Sequence, residues 1–91
     1  MPRLVPSARF LKTLGAIARS NPGMARRIQG AAKRFQAGIH HPALNFEKIK
    51  GTDYCSIRVS QGERIVLRAT DPDTFDLVDV GDHDTIYRRY G

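Results

Sequence analysis

Ninety-one residues suffice for one domain with a modest core. Fifteen Lys and Arg against nine Asp and Glu leave a net charge of +6, which calls for a polyanion, nucleic acid first, or an acidic protein as partner. The single cysteine, Cys55, excludes an intrachain disulfide and suits a reducing cytoplasmic compartment; no apolar run approaches a membrane span, and charges interrupt any signal-peptide pattern.

Arg3-Leu4-Val5 reads as a short first strand ended by Pro6. Ser7 then N-caps a helix in which Phe10, Leu14 and Ile17 recur at i, i+4 and i+7 with Leu11 beside them, while Arg9, Lys12 and Arg19 point elsewhere. Ser20-Asn21-Pro22-Gly23 breaks this pattern and starts a second helix, with Asn21 as N-cap and Pro22 at the first helical position. That helix runs to about Gln36 or Ala37. Met24, Ile28, Ala31, Ala32 and Phe35 form its buried stripe, and Arg26, Arg27, Lys33 and Arg34 its exposed side. Gly30 weakens it, and Gly38 is placed to close it in a left-handed C-cap. The two helices form an antiparallel pair.

After a linker, Ile39–Asn45, the period changes from 3.6 to 2. In Tyr54–Val59, Cys55, Ile57 and Val59 share one face; Tyr54, Ser56 and Arg58 share the other. In Arg64–Thr70, Ile65, Leu67 and Ala69 oppose Arg64, Val66 and Arg68. Ser60–Glu63 is the hairpin turn between these strands, and Asp71-Pro72-Asp73 a second turn. Phe75–Val80 is the last strand, mixed on both faces. The amphipathic helices are the available cover for the apolar face. The expected architecture is therefore α+β over residues 1–91: an N-terminal helical hairpin on one face of a small, mainly antiparallel, three- to four-stranded sheet. The opposite face is expected to be partly open, with Asp82–Tyr87 trailing beside it.

That face carries parts suited to cutting RNA without a metal. Attack of a 2′-hydroxyl on the adjacent phosphate needs a proton removed, a proton delivered to the leaving 5′ oxygen, and positive charge around the phosphorane. Arginine binds phosphate oxygens in two-pronged fashion, lysine supplies a point charge, and histidine titrates near neutrality. Lys48 and Lys50 lie two apart, Arg58 and Arg64 flank one hairpin, and His83 and Tyr87 are four apart, as on one helical turn. Each residue also has a plainer reading. Surface cations are usually solvated, His83 between Asp82 and Asp84 suits an exposed turn, and Tyr87 suits an apolar lid. Cys55 alternates inward as core. His40 and His41 lack a second ligand cluster, so no metal site is expected, and there is no glycine-rich phosphate loop for a cofactor.

The run Leu44-Asn45-Phe46-Glu47-Lys48-Ile49-Lys50-Gly51, then Tyr54, Ser56-Ile57-Arg58-Val59, Glu63-Arg64-Ile65-Val66 and Val80-Gly81-Asp82-His83-Asp84 with Tyr87, resembles the RelE/ParE toxin superfamily of bacterial type II toxin–antitoxin systems. The resemblance implies a ribosome-dependent endoribonuclease that cuts messenger RNA, held inactive by a cognate antitoxin in a hetero-oligomer. It implies His83 as general acid, Arg64 on the scissile phosphate, Lys48 and Lys50 stabilising charge or deprotonating the nucleophile, and Tyr87 positioning substrate. Arg58, Arg68, Lys48 and Lys50 would bind RNA. Gly91 leaves little room for the C-terminal helix of some relatives. A second branch poisons DNA gyrase without nuclease chemistry, and an inactive basic RNA-binding module would share the same surface.

Overall fold

The computed structural model describes all 91 residues. In chain order they form β1 (Arg3–Pro6), α1 (Ala8–Ser20), α2 (Pro22–Ala37), a 3-10 turn (Pro42–Leu44), β2 (Glu47–Lys48), β3 (Tyr54–Arg58), β4 (Glu63–Asp71), β5 (Thr74–Asp82) and α3 (His83–Tyr90). One sheet takes the strands in the order β1-β5-β4-β3-β2. All pairs are antiparallel except β1 with β5. The α+β architecture with its helical hairpin is as expected, and the two-residue β2 brings the sheet to five strands.

The hairpin forms where its caps predict. The Ser7 hydroxyl accepts the Phe10 N–H at 3.0 Å and donates to the Val78 carbonyl at 2.8 Å, which fastens the start of α1 to β5. Asn21 Oδ1 accepts the Met24 N–H at 3.1 Å, with Pro22 behind it. The buried faces of α1 and α2 bring Phe10, Ile28, Ala31 and Phe35 onto Cys55, Ile57, Ile65, Leu67, Phe75, Leu77 and Val80 of the sheet. Leu11 departs from its predicted stripe and is 53% exposed. Gly38 is extended, at φ −171°, rather than left-handed; the left-handed positions are Asn45 and Gly51, which turn the chain into and out of β2.

The mixed pattern of β5 has a structural cause. Val66 pairs with Asp79 but Leu67 pairs with Leu77, so Val78 is an extra residue in the ladder. This bulge resets the alternation. Phe75 and Leu77 face the helical hairpin before it, and Val80 faces it after.

The second face is not open. The last eight residues before Gly91 form α3, which packs on that face. Asp82 caps α3 by accepting the Thr85 N–H at 3.2 Å; hydrogen bonding from the Thr85 side chain, and secondly from its backbone N–H, holds the carboxyl below the usual range. Ile86 is fully buried, as is Val66. Tyr90 meets Tyr54 edge-on at 5.0 Å. At the centre is Asp79, only 1% exposed. Its Oδ2 accepts from Arg89 Nη1 at 2.7 Å and Tyr90 Oη at 2.9 Å, and its Oδ1 accepts the Val80 N–H at 2.8 Å. Replacing Asp79 by Ala strands these donors. The expected cost is about 1–3 kcal/mol, small because Arg89 can turn to water. Hydrogen exchange should show α3 amides losing protection while those of α1 and α2 keep theirs.

Cys55 is a core residue. Burial pushes its thiol up to about 11, against a smaller opposing effect of Lys48. At pH 8 the native thiol should therefore react with iodoacetamide about a hundredfold more slowly than the same cysteine in the unfolded chain. Labelling under native and denaturing conditions checks this. The same shift makes stability fall as pH rises from about 9 towards 11, because the unfolded thiol ionises first. Cys55→Ala should remove that contribution.

Candidate functional site

The α3 side of the sheet ends at the β3–β4 turn. Arg58 and Arg64 are direct cross-strand partners there, so their side chains leave the same face. Ser56 and Val66 lie next along that face, also as a pair. Two like charges placed opposite each other are unfavourable unless an anion or water shares them.

Arg64 is the unusual member. It is 8% exposed and forms no ion pair with any carboxylate. Its Nη1 is held by the backbone of the turn, donating to Ser60 O at 2.9 Å, Glu63 O at 3.0 Å and Gln61 O at 3.2 Å. Nε and Nη2 donate to no protein atom, and no buried side-chain nitrogen lacks a partner, so these two reach the surface. The turn thus fixes the guanidinium by one nitrogen and leaves its other edge available to an anion.

His83 is the first residue of α3. Its backbone N–H donates to Gly62 O at 2.7 Å, and Arg64 pairs with Gly81 two residues earlier, so the ladder brings the histidine backbone to the same turn. Its side chain is 52% exposed, with Nδ1 3.4 Å from Asp84 Oδ1. One helical turn on, the Tyr87 ring lies against the imidazole, centroids 4.5 Å apart and planes tilted by 38°. The Tyr87 hydroxyl donates to Glu47 Oε2 at 3.0 Å and lies 3.1 Å from Ser56 Oγ. This chain ties α3 to β2 and β3.

Arg58, Arg64, His83 and Tyr87 are therefore brought to one face at one end of the sheet. Lys48 and Lys50 are not. Lys48 pairs with Cys55, whose side chain is in the core, so it leaves β2 on the helical-hairpin side; Glu47, paired with Ser56, is the β2 residue that faces Tyr87. Extended backbone stops at Lys48, and Lys50 lies exposed in the turn that follows. Arg68 projects from the same face of β4 as Arg64 but at the far end, 3.7 Å from Asp76. A cavity of about 690 Å³ lies at that far end, between Phe46, Lys48, Tyr54, Arg68 and Phe75. Glu47 is the residue that sequence reasoning missed. Its only signal is its place one residue before Lys48, and that identifies a face only once the β2 register is known.

No protein-family model matches the chain, and no curated protein does. Solved structures do. A YoeB/ParE toxin from Agrobacterium tumefaciens superposes with a TM-score of 0.75 at 18% identity, over 89% of this chain and 98% of that one. The YoeB–YefM complex from Staphylococcus aureus gives 0.72 at 20% identity, over 91% and 98%. The RelB–RelE antitoxin–toxin complex from Methanococcus jannaschii gives 0.68 at 24% identity, over 96% and 99%. With near-complete coverage on both sides, the chain has the fold of the RelE/ParE toxin superfamily.

Proposed function

We propose that this protein is the toxin of a type II toxin–antitoxin pair and that it cuts messenger RNA on the ribosome. The observation that carries the reading is Arg64, a nearly buried cation with no carboxylate partner, fixed by three carbonyls with one edge free beside Arg58. A phosphodiester is the anion that fits the fork. Solved relatives of this fold are themselves toxins, several in complex with antitoxins, which supports the toxin role and an antitoxin partner.

In this reading Arg64 and Arg58 bind the two non-bridging oxygens of the scissile phosphate. The 2′-oxygen bonds to phosphorus as its proton passes to a base on the rim, for which Glu47 is the carboxylate in position. The bond to the 5′ oxygen breaks as protonated His83 donates to it. The products are a 2′,3′-cyclic phosphate and a free 5′-hydroxyl. Tyr87 braces His83 by ring contact and Glu47 by its hydroxyl. Lys48, Lys50 and Arg68 act away from the chemistry, holding the strand on either side of the cut.

The test is to induce the protein in cells and map message 5′ ends and DNA supercoiling together. Codon-phased cuts that fall about 100- to 10,000-fold in His83→Ala support the proposal. Intact messages with cleaved DNA complexes would move the protein to the gyrase-poisoning branch.

A further inference from the structure

The charge of this chain is sharply divided. Residues 1–46 contain eight Lys and Arg and no Asp or Glu; all nine acids lie in residues 47–91, against seven Lys and Arg. The net positive charge therefore belongs to β1 and the helical hairpin, not to the rim. Of the eight hairpin-side cations only Arg9 approaches a carboxylate, Asp79 at 3.8 Å. A surface with no internal counter-charge attracts an external polyanion.

One part of that surface is shaped as well as charged. A cleft of about 350 Å³ opens between α2 and the β3–β4 turn. Arg27 and Arg34, seven residues apart on one helix face, stand at its two ends. Gly30 and Ala31 form the floor, and Ser60 and Gln61 the opposite wall. A Cβ built on Gly30 would meet nothing within 4 Å, so packing does not demand the glycine, although it weakens the helix. The wall is also the turn whose Ser60 and Gln61 carbonyls clamp Arg64. The cleft and the rim thus lie on two sides of one four-residue turn.

We infer that this cleft is a second phosphate-binding subsite, taking the backbone of an RNA strand that passes around the β3–β4 turn from the Arg58/Arg64 rim. Arg27 and Arg34 each contact one phosphate, the Gln61 amide supplies a neutral hydrogen bond, and the small floor lets the sugar–phosphate chain approach α2; the Ser60 hydroxyl is already engaged, donating to Glu63 Oε1 at 2.8 Å. Backbone recognition of this kind is indifferent to sequence. An acidic segment of a protein partner would also meet the cations, but continuity through one turn with the phosphate-fitting rim favours RNA. The inference rests on the proposed reading of the rim as an RNA site.

The test uses a fluorescent 12-nucleotide single-stranded RNA and, separately, a poly-glutamate peptide of equal charge. Both are titrated against the full chain over a range of salt. The double variant Arg27→Gln/Arg34→Gln should bind the RNA about tenfold more weakly at low salt, with the slope of log affinity against log salt reduced by about 1.4. Gly30→Glu, which places a negative charge on the floor at a position where a Cβ meets nothing within 4 Å, should weaken binding similarly. Both variants should leave the thermal midpoint no lower, since the altered positions are exposed. Unchanged RNA affinity in both, with Arg64→Ala still weakening it, would overturn the subsite and leave the rim standing. Loss of poly-glutamate binding alone would assign the cleft to an acidic protein and also overturn it. Failure of the unaltered chain to bind RNA at all would remove the rim reading together with the cleft.

Discussion

Replacing Arg64 by Ala should lower message cleavage by about 100- to 1,000-fold, the scale on which loss of one preorganised donor to transition-state charge is felt. The cause lies in how this arginine is held. A surface arginine must surrender side-chain freedom when it grips a phosphate. Arg64 has already done so in the free protein, because three backbone carbonyls of one turn hold Nη1 while the remaining edge of the fork stays available. The same bonds stabilise the turn, so Arg64→Ala should also cost about 1–3 kcal/mol of folding stability. Arg64→Lys separates the two effects. It keeps the charge and loses the planar fork, so cleavage should still fall well below that of the unaltered protein. Cleavage in reconstituted translation extracts, read beside thermal unfolding, measures both. Full activity in the lysine variant would show that a point charge suffices and that the clamp is only structural.

The largest stability effect is expected at Phe35. It is fully buried, stacks on Phe46 at 6.1 Å and meets Phe75 edge-on at 4.9 Å, so it joins α2, the entry to β2 and the start of β5. Phe35→Ala should cost about 3–5 kcal/mol through lost burial and the cavity left behind. For a domain of this size that lowers the melting midpoint by roughly 15–30 °C. It is also a large share of the roughly 5–15 kcal/mol available to a native domain. Circular dichroism melts measure it. A drop of only a few degrees would mean that the hairpin–sheet interface can collapse around the gap.

Why some of this was legible in the sequence and some was not follows from particular residues. The helical hairpin could be read because its signals are local: Ser7 and Asn21 cap, Pro22 starts, and the apolar residues keep a 3.6 period over three turns or more. The β3–β4 hairpin can be read because alternation fixes both faces once the turn is placed, so Arg58 and Arg64, which flank that turn, fall as cross-strand partners. Lys48 and Lys50 could not be placed this way. A strand of two residues carries too little alternation to fix its face, and a slip of one position exchanges Glu47 for Lys48 at the Tyr87 hydroxyl. The terminal helix was hidden for a different reason. His83–Tyr90 buries only Ile86 fully, and its attachment depends on Asp79 and Tyr54, distant in sequence and invisible to any periodicity. The spacing of His83 and Tyr87 did anticipate their contact on one turn, because i and i+4 meet in any helix. The bulge at Val78 explains why β5 resisted assignment to either face.

In the proposed chemistry, the rim at Arg58, Arg64, His83 and Tyr87 directs a 2′-hydroxyl against its neighbouring phosphate. The measurement that addresses it most directly is cleavage of a ribosome-bound message carrying a single 2′-deoxynucleotide immediately 5′ of the mapped cut. The all-ribose message should yield a 2′,3′-cyclic phosphate and a 5′-hydroxyl, and the deoxy substitution should abolish the cut at that position alone. Undiminished cleavage at the deoxy position would mean that the nucleophile is not the 2′-hydroxyl, and the assigned chemistry of the rim would be wrong.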